Sequence, residues 1–156
     1  MTTPSSTRAV CLALLFLFIC LAENKPVDAA SAFPLGTKSI YLKDNAGVDY
    51  PIGSVEFSPG EGAKVAYELH IETERFKDFF LSMKEMKCLE GQELWCHLPY
   101  PYEQPRTVST DDFSWLAHDL LFMYKKKGEF GANFWNGIYY KMTLNNGQIT
   151  GVAQAV

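Results

Sequence analysis

Polar and apolar positions alternate along the part of the chain that follows residue 38. Residues 39–43 alternate, and residues 65–71 place Val, Tyr, Leu and Ile on one side and polar or small residues on the other. A period of two residues is typical of a strand with one buried face. Turn residues at Asp44–Gly47 and Pro59–Gly62 flank an intervening strand that reaches Phe57. This pattern predicts an antiparallel meander.

The apolar period then changes from two residues to 3.6. Between Thr73 and Lys84 the apolar side chains fall at i, i+3, i+4 and i+7, the spacing of one helix face: Phe76, Phe79, Phe80 and Met83. A second helix is predicted to begin at Ser109, which forms a capping box with Asp112. Its core stripe is Phe113, Leu116, Leu120 and Tyr124, and the lysines and glycine at 125–128 are predicted to end it.

The remaining segments carry hairpin and loop signals. Residues 88–96 contain a central glycine and predict a tight hairpin, whereas the prolines of residues 98–106, the Pro-Tyr loop, exclude a helix or an inner strand. Residues 137–144 predict a strand, and Asn146-Gly147 predicts the turn from which residues 148–155 return. The predicted fold class is α+β: a single domain with an antiparallel sheet of about seven short strands and two α-helices packed on it.

The composition is that of an ordinary globular chain. With 156 residues, 47% of them hydrophobic and 21% charged, the sequence suits one domain and differs from disordered, collagen-like and coiled-coil chains. The net charge is −4 and the pI is about 5.3, so the chain as a whole offers no cationic surface to nucleic acid. We therefore expect no nucleic-acid partner.

The first thirty residues are predicted to be a cleaved signal peptide. The apolar run Val10–Leu21 has 12 residues, fewer than the roughly 20 that a transmembrane helix needs. Small residues follow and favour cleavage after Ala22 or Ala30, which leaves residues 31–156 as one domain with no membrane insertion. An uncleaved anchor and a lipoprotein attached at Cys20 are the alternatives, the second disfavoured by the bulky residue before that cysteine. The predicted localisation is the periplasm, or otherwise the extracellular medium.

Export changes the interpretation of the cysteines. Cys11 and Cys20 leave with the signal peptide, whereas Cys88 and Cys96 enter an oxidising compartment, where disulfides persist. In a tight hairpin the two remaining cysteines face each other across neighbouring strands. We therefore predict a Cys88–Cys96 disulfide, and not a metal site, because nothing nearby supplies the other ligands.

The first candidate binding site is the end of the hairpin together with the Pro-Tyr loop. Trp95 and His97 share one face of a predicted strand, and the loop presents Tyr100, Tyr102 and Arg106 close by. Rigid aromatic rings with a guanidinium suit a stacking surface, or the recognition of a carboxylate, a phosphate or a sugar. The alternative is that the tyrosines pack onto the sheet and that Arg106 pairs with a surface acid.

The second candidate is the far side of the second predicted helix. Trp115 and Phe122 lie seven residues apart there, flanked by His118 and Asp119, where an amphipathic helix should be polar. They form either an exposed aromatic patch for a partner or a second packed face, covered by the loop at residues 133–136.

The sequence gives little support to catalysis. It has no Gly-x-Ser-x-Gly motif, and both cysteines of the mature chain belong to the predicted disulfide. The three histidines, His70, His97 and His118, lack metal-ligand spacing, so we predict no metal and no cofactor. A small hydrolase-type enzyme that uses His97, with Asp112 or Asp119 brought near by folding, remains the alternative to a non-enzymatic protein.

Three sequence blocks resemble a family of small exported bacterial proteins, most of them uncharacterised. The blocks are Lys87-Cys88-Leu89-Glu90-Gly91, Cys96-His97-Leu98-Pro99-Tyr100-Pro101-Tyr102 and Asn136-Gly137-Ile138-Tyr139-Tyr140, and the likeness covers residues 39–152. The resemblance implies a bacterial source and export. It implies no activity and no catalytic residue.

The expected function is that of an exported, non-enzymatic binding domain with its working surface at the Pro-Tyr loop. The expected partner is a small anionic or sugar-like ligand or a protein of the cell envelope. A third possibility, beside the hydrolase, is inhibition of an envelope-targeting enzyme by the protruding loop.

Overall fold

The structure, a computed structural model, describes residues 33–81, 84–126 and 137–155. The predicted signal peptide lies outside these residues, as does Met83 of the first predicted helix. The loop at 133–136, which one alternative places over the far side of the second predicted helix, lies outside them as well. Among the described residues, no helix combines the length and apolar character needed to cross a membrane.

The first of two antiparallel sheets contains the meander. Its strands are β1 (Gly36–Lys43), β2 (Asp49–Pro59), β3 (Val65–Ile71) and β7 (Thr107–Val108), in the order β1-β2-β3-β7. The alternation correctly predicts β1 to β3. β2 includes Pro51, and the register with β1 shifts beside it: Ile40 pairs with Gly53 and Tyr41 with Pro51, so Ile52 is the extra residue of a bulge. Gly53 sits so close to the His70 carbonyl that a Cβ would overlap it.

The second sheet has six strands in the order β10-β9-β8-β6-β5-β4. These are β4 (Lys77–Leu81), β5 (Lys84–Glu90), β6 (Glu93–His97), β8 (Phe122–Lys126), β9 (Gly137–Asn145) and β10 (Gln148–Ala155). Asn146 and Gly147 have φ of 50° and 76°, so the predicted turn between β9 and β10 is confirmed. The central strand β6 carries Trp95, Cys96 and His97.

The first predicted helix is wrong. A single 3₁₀ turn at Thr73–Arg75 is followed by β4, which pairs with β5. On a helix Phe76, Phe79 and Phe80 would share one face, but here Phe76 is buried whereas Phe80 is 76% exposed. Aromatic residues favour strands, and pairing with the hairpin extends the sheet, so tertiary pairing overrides the helical spacing.

The second predicted helix is correct only in its middle. α1 spans Ser114–Asp119, five residues after the predicted start at Ser109, and the chain then enters β8, between β6 and β9. The Ser109 hydroxyl accepts the Asp112 amide at 3.1 Å, as the predicted capping box requires, but this contact lies in a turn before the helix, whose N-cap Phe113 has no side-chain cap. Lys125 is buried in β8 and does not end a helix. The Phe-Met-Tyr sequence from Phe122 favours an inner strand.

The α+β fold class, with two helices on a sheet of about seven strands, is therefore also wrong. The described chain is mostly β, with sheets of four and six strands, one short helix and one 3₁₀ turn. The main core lies between the sheets and includes Ile52, Val55 and Phe57 from one and Trp95 and Phe122 from the other. Residues from α1 close this core at one end.

The Cys88–Cys96 disulfide is confirmed. The two residues lie directly opposite each other on β5 and β6, and both are fully buried. Together with Leu94 and Met123 they form a second apolar cluster, on the face of the six-stranded sheet that points away from the main core. β6 therefore directs Trp95 inward and Cys96 outward.

Candidate functional site

The structure does not bring together all five residues predicted as a binding site. Trp95 is 8% exposed and lies in the core between the sheets, with its ring 5.3 Å from the ring of Tyr50. A Cβ at Gly91 would overlap the Trp95 indole, so the hairpin glycine makes room for that ring. Trp95 thus belongs to the core and not to the loop surface.

His97 is half-buried at the end of β6, with its ring 5.2 Å from the ring of Phe122. Its Nε2 lies 2.9 Å from the main-chain oxygen of Asp119. A carbonyl can only accept, so Nε2 carries the hydrogen. Burial lowers the pKa of His97 below its ordinary value, which keeps the ring neutral near pH 7. The imidazole therefore faces a peptide oxygen of Asp119 and not its carboxylate.

The Asp119 carboxylate is held by a network that the sequence did not reveal. The Tyr67 hydroxyl donates to Asp119 Oδ2 at 2.8 Å, and Gln104 Nε2 donates to the same hydroxyl at 3.0 Å. Burial and the hydrogen bond to Asp119 raise the pKa of Tyr67, so the phenol stays protonated. The network joins β3, the Pro-Tyr loop and the end of α1. Alternation placed Tyr67 on a buried strand face but gave no sign of its partners.

Arg106 anchors the far end of the Pro-Tyr loop through its backbone. Its φ is 49°, its carbonyl accepts the Tyr67 amide at 2.9 Å, and its own amide donates to Gln104 Oε1 at 3.2 Å. The guanidinium side chain is exposed. Arg106 therefore fixes the loop on β3 and leaves a cation at the surface.

The two predicted tyrosines belong to a cluster of rings that we call the aromatic cluster. Its members are Tyr100, Tyr102, Trp115, His118 and Tyr139. The His118 ring lies 5.4 Å from Tyr100, 5.9 Å from Trp115 and 5.7 Å from Tyr139, and Tyr100 lies 5.5 Å from Tyr102. Tyr102 is 71% exposed and the other members are half-buried. A partly exposed set of rings therefore lies where the Pro-Tyr loop meets α1.

The position of the ring proton on His118 follows from a main-chain contact. Its Nδ1 lies 2.6 Å from the Ser114 carbonyl, which can only accept, so Nδ1 carries the hydrogen. In the neutral ring Nε2 is then the acceptor, and no described residue donates to it. The cluster thus combines aromatic faces with an imidazole nitrogen that can accept a hydrogen bond.

The aromatic cluster unites parts of both candidate sites predicted from the sequence. Tyr100 and Tyr102 come from the first, and Trp115 and His118 come from the second, whereas Phe122 of the second candidate is buried in the core. Tyr139 was not predicted as a site residue. The one feature of the sequence that singles out Tyr139 is its place in the third sequence block. Alternation by itself indicates only that the residue lies on a strand.

Comparison with known proteins adds no relative to this geometry. No family model matches the chain, and no curated protein or solved structure matches it either. Within the described ranges, no three His, Cys, Asp or Glu side chains come together as a metal site would require.

Proposed function

We propose that this protein is an exported, non-catalytic binding domain whose aromatic cluster binds a sugar-like ligand. The observation that carries the proposal is the convergence of the Pro-Tyr loop, α1 and β9 on His118, whose ring has Tyr100, Trp115 and Tyr139 as neighbours. A sugar ring has an apolar C–H face and hydroxyl edges. It therefore suits aromatic surfaces that carry a few hydrogen-bonding groups.

One further polar group belongs to the cluster, and a second lies at the far end of the Pro-Tyr loop. His118 Nε2 can accept a hydrogen bond from a ligand hydroxyl, and the exposed Arg106 guanidinium offers paired donors to a carboxylate. The network of Tyr67, Gln104 and Asp119 holds the loop before any ligand arrives, and this lowers the entropy lost on binding. These features favour a neutral sugar, with an acidic sugar as the form that would also use Arg106.

Two features support export. The apolar run at Val10–Leu21 has the length of a signal-peptide core, and disulfides such as Cys88–Cys96 persist in oxidising compartments. Expression of the full chain in a bacterium with an active secretory pathway tests this part. We expect the exported protein to begin at residue 23 or 31 and to have a mass two hydrogens below that of the dithiol form. An uncleaved chain retained in the cytoplasm would contradict export.

Saturation-transfer NMR tests the binding site, with chitotriose as the neutral probe and trigalacturonate as the acidic one. We expect transfer from the protein to the ring protons of at least one probe. The transfer should fall severalfold in Tyr102→Ala and in His118→Gln. Phe80→Ala is the matched control, because Phe80 is also an exposed aromatic residue, 76% exposed, but lies on β4.

Two results would overturn the binding proposal. One is the absence of transfer to both probes at millimolar concentration. The other is transfer that Tyr102→Ala and His118→Gln leave unchanged relative to Phe80→Ala. In each comparison, far-ultraviolet circular dichroism confirms that the variants remain folded.

A further inference from the structure

A cleft of about 1070 Å³ opens between the two sheets, away from the aromatic cluster. It is lined by β1 and β2 of one sheet and by β9 and β10 of the other, and β1 and β10 are the outermost strands of their sheets. Ligand pockets usually measure about 300–1,000 Å³, so this cleft is slightly larger than that range.

The inner surface of the cleft is apolar. Its lining includes Ile40, Ile52 and Val55 from the four-stranded sheet and Trp95, Phe122 and Ile138 from the six-stranded sheet. These side chains belong to the main core or pack against it. The cleft is therefore an open extension of the hydrophobic core.

The volume remains open because one edge strand has small side chains on its inner face. Three small residues of β10 pair with three larger ones of β9, and all six line the cleft: Gly151, Ala153 and Ala155 lie opposite Met142, Tyr140 and Ile138. A sheet packed to the usual density would carry larger residues at such inner positions. Val152, between two of them, points to the outer face and is 67% exposed. The small residues leave the larger ones of β9 uncovered.

A lysine interrupts the apolar stripe of β1. Lys38 alternates with exposed neighbours and is half-buried on the same face as Ile40 and Leu42. No carboxylate of the described residues lies within ion-pair distance of Lys38, whereas Lys43 pairs with Asp49 at 2.7 Å. A lysine in such a position packs its hydrocarbon stem along the apolar stripe and leaves its ammonium able to meet an anion at the mouth of the cleft.

The acidic groups that line the cleft lie toward its other end or are already engaged. Asp44 accepts the amides of Ala46 and Val48 at 2.9 and 2.8 Å, so its carboxylate holds a turn. Glu93 lies two residues before Trp95 on β6, and the Trp95 ring contacts Tyr50, which pairs with Leu42 at the other end of the β1 stripe from Lys38. The Lys38 end of the cleft is thus cationic.

We propose that the cleft binds a single-chain fatty acid, with its carboxylate at Lys38 and its hydrocarbon chain along the inner face toward Leu42 and Trp95. The four steps along β1 from Lys38 to Leu42 span about 13 Å at roughly 3.3 Å per step. A zigzag chain built from bonds of about 1.5 Å advances about 1.3 Å per carbon, so about ten carbons fill that span. The site is separate from the aromatic cluster and does not depend on the proposed sugar-binding function.

Calorimetric titration of the purified full chain with decanoate and decan-1-ol tests the site. We expect saturable binding of decanoate at one site and at least fivefold weaker binding of the alcohol, which has the same chain but no charge. Lys38→Met keeps the apolar stem and removes the ammonium, so it should bring the two affinities to within twofold. Equal affinities in the unaltered protein would refute the role of Lys38.

A pair of neighbouring substitutions on β10 tests the location. Ala153→Trp fills the cleft and should weaken decanoate binding at least tenfold. Val152→Trp places the same ring on the outer face of the same strand and should leave the affinity unchanged.

Three results would overturn the proposal. The first is the absence of saturable decanoate binding, and the second is an equal effect of the two tryptophan variants on decanoate affinity. The third is a dimer, detected by analytical ultracentrifugation, in which paired β1 or β10 edges exclude decanoate. Tyr102→Ala should not change decanoate affinity. Failure of the sugar site and failure of the fatty-acid site can therefore be told apart.

Discussion

Removal of the Cys88–Cys96 bond tests how strongly one covalent link stabilises the six-stranded sheet. The double substitution Cys88→Ala/Cys96→Ala removes the bond, and alanine adds no polar atom to a site where both sulfurs are fully buried. The cysteines are eight positions apart, and closing so short a loop in the unfolded chain corresponds to about 2.5 kcal/mol. For a domain of this size, that loss lowers the melting temperature by about 10 °C.

Urea unfolding monitored by tryptophan fluorescence measures the change. The double variant and the wild-type protein in reductant should show the same lowered free energy of unfolding, and reductant should not alter the variant further. The single variant Cys88→Ala should in addition expose one titratable thiol on unfolding. A loss below about 0.5 kcal/mol in the double variant would refute the reasoning, because loop closure alone assigns about 2.5 kcal/mol to this bond.

Three further predictions follow from contacts of single residues. Because burial lowers the pKa of His97, the unfolded state binds more protons than the folded state below about pH 6.5, so the free energy of unfolding should fall between pH 7.5 and 5.5 by up to about 1.4 kcal/mol per pH unit. Urea midpoints of His97→Gln should fall less over the same range, and an identical pH dependence in the variant would contradict the assignment. Gly91→Ala should destabilise the protein by about 1–3 kcal/mol in urea unfolding, because its Cβ overlaps the buried Trp95 ring, and an unchanged midpoint would contradict that contact. Tyr67→Phe should lower the free energy of unfolding by about 1.5–3 kcal/mol, because it removes the hydrogen-bond donor to the Asp119 carboxylate. A double-mutant cycle with Asp119→Asn should show a coupling energy, and strict additivity of the two substitutions would argue against the bond.

The features that the sequence predicted correctly depend on local or cross-strand patterns. Alternation identifies β1 to β3, Asn146-Gly147 identifies the last hairpin, and the glycine between two cysteines identifies the disulfide-bonded one. In each case the residues that specify the structure lie within one strand or one turn, so their pattern is readable without knowledge of the rest of the chain.

The helix predictions failed because their apolar spacing fits two structures. Phe76, Phe79 and Phe80 suit a helix face in isolation, but a strand can also pack Phe79 against the disulfide cluster on one face and leave Phe80 exposed on the other, and the neighbouring hairpin supplies the hydrogen-bonding partners. The same applies after Asp119, where Phe122 enters an inner strand between β6 and β9. Long-range pairing decided both segments.

The aromatic cluster was only half predictable for a related reason. Tyr100 and Tyr102 are in one loop, and their nearness to each other follows from the chain itself. The position of Tyr139 beside His118 depends on β9 passing α1, a tertiary arrangement that no local pattern encodes. The carboxylate partner of Tyr67 was hidden in the same way, because 52 residues separate the two groups.

The direct opposition of Cys88 and Cys96 makes oxidation a check on strand register. If β5 and β6 slipped by one residue, the side chain opposite Cys88 would be that of Trp95 or His97, and the two sulfurs would point to different faces of the sheet. The same slip would turn Trp95 out of the core. A sheet displaced by one residue cannot close the bond, so a closed bond in the folded sheet reports the same register that directs Trp95 into the core.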